Sequence, residues 1–70
     1  MKDVKLKKEP VELYKILKFE GMATSGGEAK TVIADGKVSV NGIIETQKSK
    51  KIMSGDVIEY NAEKIRLHFK

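Results

Sequence analysis

Apolar residues recur along this chain first at helical and then at strand spacing. Leu13, Ile16 and Leu17 stand at i, i+3 and i+4, one face of a helix, with Lys15 and Lys18 on the other side. Ala29, Val32 and Ile33 form a second stripe of the same kind, and Lys30 points away from it. From Val38 the period drops to two. Val38 and Val40 alternate with Lys37 and Ser39; Val57, Ile58 and Tyr60 mark a further strand; Ile65, Leu67 and Phe69 alternate with Arg66, His68 and Lys70. Ahead of the helices, Val4 and Leu6 between Lys5 and Lys7 predict a short edge strand whose lysines discourage pairing with other chains.

The residues between these stretches set their limits. Pro10 suits the first position of the first helix, and Gly21 its left-handed C-terminal cap. Ser25 and Glu28 fit a capping box that opens the second helix, and Gly36 closes it. Residues 22–24 are too short a link for anything but neighbouring helices. Asn41-Gly42 is the preferred pair for a type I′ turn, because both positions need positive φ, and Ile43 and Ile44 continue the returning strand. Residues 47–51 read as a polar, basic loop; Ser54-Gly55-Asp56 and residues 61–63 read as turns. The expected fold is α+β, two short helices packed on a small, mostly antiparallel β-sheet. Residues 1–70 are expected to form a single domain whose core motif runs over 12–60.

Composition narrows the chemistry. The chain has no cysteine, which excludes disulfides and thiolate metal sites. Fourteen Lys and Arg against ten Asp and Glu give a net charge of +4, suited to an anionic partner. Arg66 is the only arginine among these cations. Lysine is a point charge for phosphate, whereas arginine favours bidentate reading of bases, so the balance predicts backbone binding with little sequence preference. No apolar run reaches membrane-spanning length, and the start of the chain lacks a signal-peptide apolar region. No membrane partner is expected, and the cytoplasm is the expected location.

The candidate binding residues cluster around the second helix start. Glycine is unfavourable inside a helix, so Gly26 and Gly27 in succession need a reason. One reason is close approach: the first-turn N–H groups beside Thr24 and Ser25 meet a phosphate, which the helix dipole favours. The other is crowding between two packed helices. Lys15, Lys18 and Lys30 lie on the solvent sides of the helices, Lys37 precedes the hairpin, and Lys48, Lys50 and Lys51 follow it. Folded back on the helices, they form one basic surface; taken singly, each is an ordinary solvated lysine. Asn41 is mainly a turn residue at the edge of that surface. Lys2, Lys5, Lys7 and Lys8 form a second basic run. Tyr14, Phe19 and Tyr60 are able to stack on bases, although Phe19 and Phe69 read first as core. His68 stands alone as a surface residue. No carboxylate pair has a catalytic spacing, no metal ligand set stands out, and Gly26-Gly27 lacks the Lys-Ser/Thr ending of a nucleotide loop. No enzyme activity and no cofactor are expected.

These residues resemble the RNA-binding domain named after small-subunit ribosomal protein S-four, whose two short helices and hairpin form the αL motif. The matching residues are Leu13, Leu17 and Gly21, then Ser25, Ala29 and Ile33, then Gly-Lys-Val-Ser-Val-Asn-Gly at 36–42 and Gly-Asp-Val-Ile at 55–58. The Ser-Gly-Gly-x-Ala-Lys form looks like that of small stand-alone bacterial members, the YbcJ and YaaA type. The resemblance implies RNA binding, with structured ribosomal or transfer RNA as the candidate class. Many family members carry Arg where this chain has Gly26, and Arg-Leu-Asp where it has Glu12-Leu13-Tyr14. That departure motivates an alternative: a protein-interaction adaptor, or a ribosome-associated accessory factor with a protein partner in RNA or ribosome maturation.

Overall fold

A five-stranded sheet carries two helices on one face, and a two-stranded ladder ties the helices to the sheet's far connection. The computed structural model describes residues 1–69; Lys70, expected to face outward from the last strand, lies outside the described residues. The elements run β1 (Lys2–Leu6), β2 (Val11–Glu12), α1 (Leu13–Phe19), α2 (Gly26–Ala34), β3 (Val38–Val40), β4 (Ile43–Ile44), β5 (Lys51–Ile52), β6 (Val57–Tyr60) and β7 (Glu63–Phe69). The large sheet has the order β1-β7-β6-β3-β4, and β2 pairs with β5 separately. β1 runs parallel to β7 with Val4 opposite Leu67, while all other pairs are antiparallel. The fold is therefore α+β on a mixed, mostly antiparallel sheet, as the alternation predicted.

Strand alternation divides the sheet into a buried and an exposed face. Val4, Val38, Val40, Ile58, Ile65 and Leu67 point inward and meet Leu13, Ile16, Leu17, Ala29 and Ile33 of the helices. No polar or charged side chain is buried among the described residues, so the core is entirely apolar. Burial at about 25 cal/mol per Å² of apolar surface supplies its cohesion.

Both helices end on the glycines the sequence marked. Gly21 and Gly36 have φ of +72° and +77°. After α1, the Gly21 N–H donates to the Lys18 carbonyl and the Met22 N–H to that of Leu17; after α2, the Gly36 N–H donates to Ile33 and the Lys37 N–H to Val32. Each is a Schellman closure, with otherwise orphaned carbonyls satisfied. Asn41 and Gly42, at φ of +53° and +83°, form the expected positive-φ turn between β3 and β4. Asn61 and Ala62 make a second turn of that kind between β6 and β7.

Three expectations fail. Pro10 does not open α1, because Val11 and Glu12 are extended and pair with Ile52 and Lys51; the helix begins at Leu13. The supposed loop at 47–51 therefore ends in a strand residue, Lys51. Phe19 is not core but 63% exposed, being turned away from the Leu13, Ile16 and Leu17 stripe. Ile43 and Ile44 do form the returning strand, yet both are exposed at the open edge of the sheet.

Candidate nucleic-acid interface

The start of α2 is built from its own neighbours in sequence. Ser25, in extended conformation, is the N-cap, and its Oγ accepts the Glu28 N–H at 3.1 Å. The Glu28 carboxylate reaches back past Ser25 and accepts both the N–H and the hydroxyl of Thr24. These two hydrogen bonds hold Glu28 below the ordinary glutamate pKa. The hydrogen bonds of the described residues leave the Gly26 and Gly27 amides without an acceptor. Crowding does not explain the two glycines. A Cβ at Gly26 would meet nothing within 4 Å, and one at Gly27 only Ser25 Oγ, at 3.8 Å. This helix start thus has free donors and open space, together with a carboxylate of its own in the same turn.

The start of α1 is built from distant chain. Glu12 is its N-cap and makes no side-chain cap. Instead the Leu13 N–H donates to the Lys50 carbonyl at 2.9 Å, and the Tyr14 N–H to the Lys48 carbonyl at 3.2 Å. The β4–β5 loop is therefore docked end-on against α1, and it carries Lys48, Lys50 and then Lys51 to that helix. The β2–β5 ladder sets Lys51 opposite Glu12. The Glu12 carboxylate lies 3.2 Å from Lys15 Nζ and 3.7 Å from Lys51 Nζ. The hydrogen bond from Lys15 is the main reason its pKa is lowered, with the Lys51 charge adding to it. One carboxylate between two ammonium groups leaves the region positive.

Tyr14 joins the two helices electrostatically. Lys30 Nζ of α2 lies 4.8 Å from the centre of its ring, and Lys15 Nζ lies 6.0 Å away. Contacts thus gather Lys15, Lys30 and Lys51 around Glu12 and Tyr14, and the docked loop adds Lys48 and Lys50. Lys18 is exposed one turn beyond Lys15 on α1. Lys37 is exposed past the C-terminal end of α2, with the helix, roughly 13 Å long at 1.5 Å per residue, between it and Ser25. The side chains of Thr24 and Ser25 hydrogen-bond to Glu28, and among the described residues no side-chain hydrogen bond joins residues 24–27 to these lysines.

Asn41 has a defined structural task. Its amide nitrogen donates to Asp56 Oδ1 at 3.0 Å, its amide oxygen accepts the Val57 N–H at 2.9 Å, and its own N–H donates to the Val57 carbonyl. Asp56 Oδ2 accepts the Met53 N–H. The Asn-Gly and Gly-Asp pairs, fourteen residues apart in the sequence, are two halves of one hydrogen-bonded staple.

Beyond the helices, His68 Nε2 lies 3.0 Å from Asp3 Oδ1 across the parallel β1–β7 pair, and this bond lowers the Asp3 pKa. Phe19 is the exposed residue that sequence reading misplaced. At 100° per residue it falls between Glu12 and Lys15 on the helical wheel, a signal present in the sequence but outweighed by its apolarity.

A family model described as the S4 domain matches residues 4–68. The chain belongs to the S4 domain family. It is similar to YbcJ of Escherichia coli (strain K12), 40% identical over 57 residues that make up 81% of each chain, and to YbcJ of Shigella flexneri to the same degree. The solution structure of E. coli YbcJ, described as revealing an αL motif involved in RNA binding, superposes with a TM-score of 0.73 at 39% identity. It covers 97% of this chain and 87% of that one. The S4e protein of the 30S ribosome from Thermoplasma acidophilum superposes with a TM-score of 0.70 at 31% identity, over 86% of this chain and 32% of that one. The S4-type αL arrangement expected from Leu13 to Ile58 is thus the arrangement the chain adopts. Among the described residues, no helix is long and apolar enough to cross a membrane.

Proposed function

We propose that residues 1–70 act as one RNA-binding module that grips structured RNA through its phosphates. The observation that carries this reading is the docking of the β4–β5 loop on the start of α1. It brings Lys48, Lys50 and Lys51 to Lys15 and Lys30, with Glu12 as the local counter-charge. The free amides of Gly26 and Gly27, with Thr24 and Ser25 beside them, offer a second phosphate contact. Lys18, Lys37 and Asn41 extend the surface on either side. Kinship with E. coli YbcJ supports RNA as the partner, and likeness to a ribosomal S4e protein favours ribosomal RNA, with transfer RNA as the other candidate class. A cytoplasmic location fits such a partner.

Binding to a structured RNA hairpin should weaken steeply with salt, because each lysine at a phosphate releases condensed counterions. Replacing Lys30 and Lys51 together by Gln should lower the salt slope by about two and leave the thermal midpoint almost unchanged. Filter-binding titrations at several salt concentrations measure both. Unchanged affinity in the double variant puts the site elsewhere. Absence of binding at low salt removes the reading.

The carboxylates of Glu12 and Glu28 at the two helix starts favour the second reading, an adaptor that keeps the fold and contacts protein in RNA or ribosome maturation. Partners that survive nuclease treatment in a pull-down support it; partners lost with the RNA return the first reading.

A further inference from the structure

We propose that the groove between the β1–β2 connection and the outer side of α1 receives one unpaired nucleotide of an RNA, its base stacked on Phe19 and its phosphate among Lys8, Lys15 and Lys51. This rests on the RNA-binding reading and goes beyond it, because Lys8 and Phe19 lie outside the surface described above.

The groove has a volume of about 370 Å³, within the size range of small-ligand sites. Pro10 and Val11 line it together with Glu12, Lys15 and Phe19 of the α1 region, which are spaced i, i+3 and i+7 and so share a face. Lys51 of β5 and Lys8 of the β1–β2 connection also line it. Three ammonium groups therefore surround a partly apolar trough. Glu12 offsets part of that charge, but its carboxylate is already shared between Lys15 and Lys51, and Lys8 makes no ion pair among the described residues.

The aromatic residues point to the same place. Of the four Phe and Tyr residues in the chain only Phe19 is exposed; Tyr14, Tyr60 and Phe69 are partly buried against the core. The open face of the sheet includes Asp3, Lys5, Val57, Glu59, Lys64, Arg66 and His68, charges of both signs without a Phe or Tyr; its flat groups are the Arg66 guanidinium and the His68 imidazole, and the imidazole is held by Asp3 at 3.0 Å. A flat ring beside a cluster of ammonium groups matches a partner that is itself flat and anionic. A nucleotide has both properties. An acidic peptide has only the charge, and a base within a duplex has its faces already stacked, so the matching partner is an unpaired base.

The test compares a fully paired RNA hairpin with the same hairpin carrying one bulged 2-aminopurine, using the full chain. The bulged RNA should bind about tenfold more tightly, the value of one base–aromatic stack, and its fluorescence should be quenched on binding. Phe19→Ala and Phe19→Leu should lose the preference and the quenching while binding the paired hairpin as before, and Phe19→Tyr should keep both. Lys8→Gln should weaken the bulged complex about threefold and leave the paired one unchanged. Thermal midpoints check folding. The inference is overturned if both RNAs bind equally to the parent chain, if the preference survives in the Ala and Leu variants, or if polyglutamate displaces the bulged RNA at equal charge. In each of these cases salt-dependent hairpin binding leaves the RNA reading standing. Failure of both RNAs to bind at low salt overturns both readings.

Discussion

Helix α1 satisfies its first N–H groups with the carbonyls of Lys48 and Lys50, more than thirty residues away in sequence, whereas α2 satisfies its own with Ser25 and leaves two glycine amides free. The two solutions have different consequences. A helix capped by its own side chains can form wherever it is placed, because all that it needs is local. A helix capped by a distant loop exists only when that loop is seated, and seating the loop is also what delivers the lysines. At α1, folding and the assembly of a basic surface are one event. At α2 they are separate.

Several measurements would break or sharpen this contrast. The largest effect is expected at Ile52, fully buried on β5 and the anchor of the docked loop. Ile52→Ala should destabilise the fold by about 3 kcal/mol in chemical denaturation, within the range for a buried Ile. It should also flatten the salt dependence of RNA binding, since the lysines lose their seat. Ser25→Ala should cost about 1 kcal/mol, the usual value of an N-cap, and leave that salt dependence intact. If both variants disturb the lysine surface equally, the two helix starts are not independent.

A smaller effect separates charge from geometry at α2. Glu28→Gln keeps an acceptor for Thr24 but removes the negative charge beside the free amides. RNA affinity should rise about twofold, as expected for removing one like charge in a well-solvated site. Unchanged affinity would mean that no phosphate comes near that turn.

The smallest effect is in pH and salt. Glu12 and Glu28 both have pKa values below the ordinary 4.5. Each therefore stabilises the fold above that value, and the contribution is lost as pH falls from 4.5 through the lower folded value. The partners of Glu12 are exposed ammonium groups, while those of Glu28 are the neutral hydroxyl and amide of Thr24. In thermal melts between pH 3 and 6, high salt should shrink the difference between Glu12→Gln and the parent chain and leave that of Glu28→Gln unchanged.

The same division explains what was legible beforehand. Ser25, Gly21 and Gly36 act on their immediate neighbours, as does the positive-φ backbone of the Asn41-Gly42 turn, and each stands where the pattern puts it; the reach of the Asn41 side chain to Asp56 and Val57 is not in the pattern. The alternation in residues 63–69 likewise identified the inward face of β7. The start of α1 lies three residues past the position that Pro10 signals, because Pro10 carries a strong local signal and the ladder of Val11 and Glu12 with β5 carries none. Two-residue strands have too little period to recognise. Parallel pairing of β1 with β7 is set by the whole topology. Phe19 is exposed despite its apolarity, because apolarity alone does not say which way a helical residue faces. Within the candidate site, the lysines were visible as residue types, but their partners Glu12 and Tyr14 and their link through loop carbonyls depend on contacts between distant segments.

The parallel β1–β7 pair has a kinetic consequence. The β3–β4 and β6–β7 hairpins close over two-residue turns, whereas Val4 must find Leu67 across sixty-three positions of chain. Closing so long a loop is entropically the slowest pairing in the sheet, so β1 is expected to be stitched on last. Until then β7 presents an open row of backbone donors and acceptors flanked by Ile65 and Leu67, the state in which this chain is most open to joining a second copy of itself. Pulse-labelled hydrogen exchange during refolding, with Val4 protected later than Val40, would record that interval.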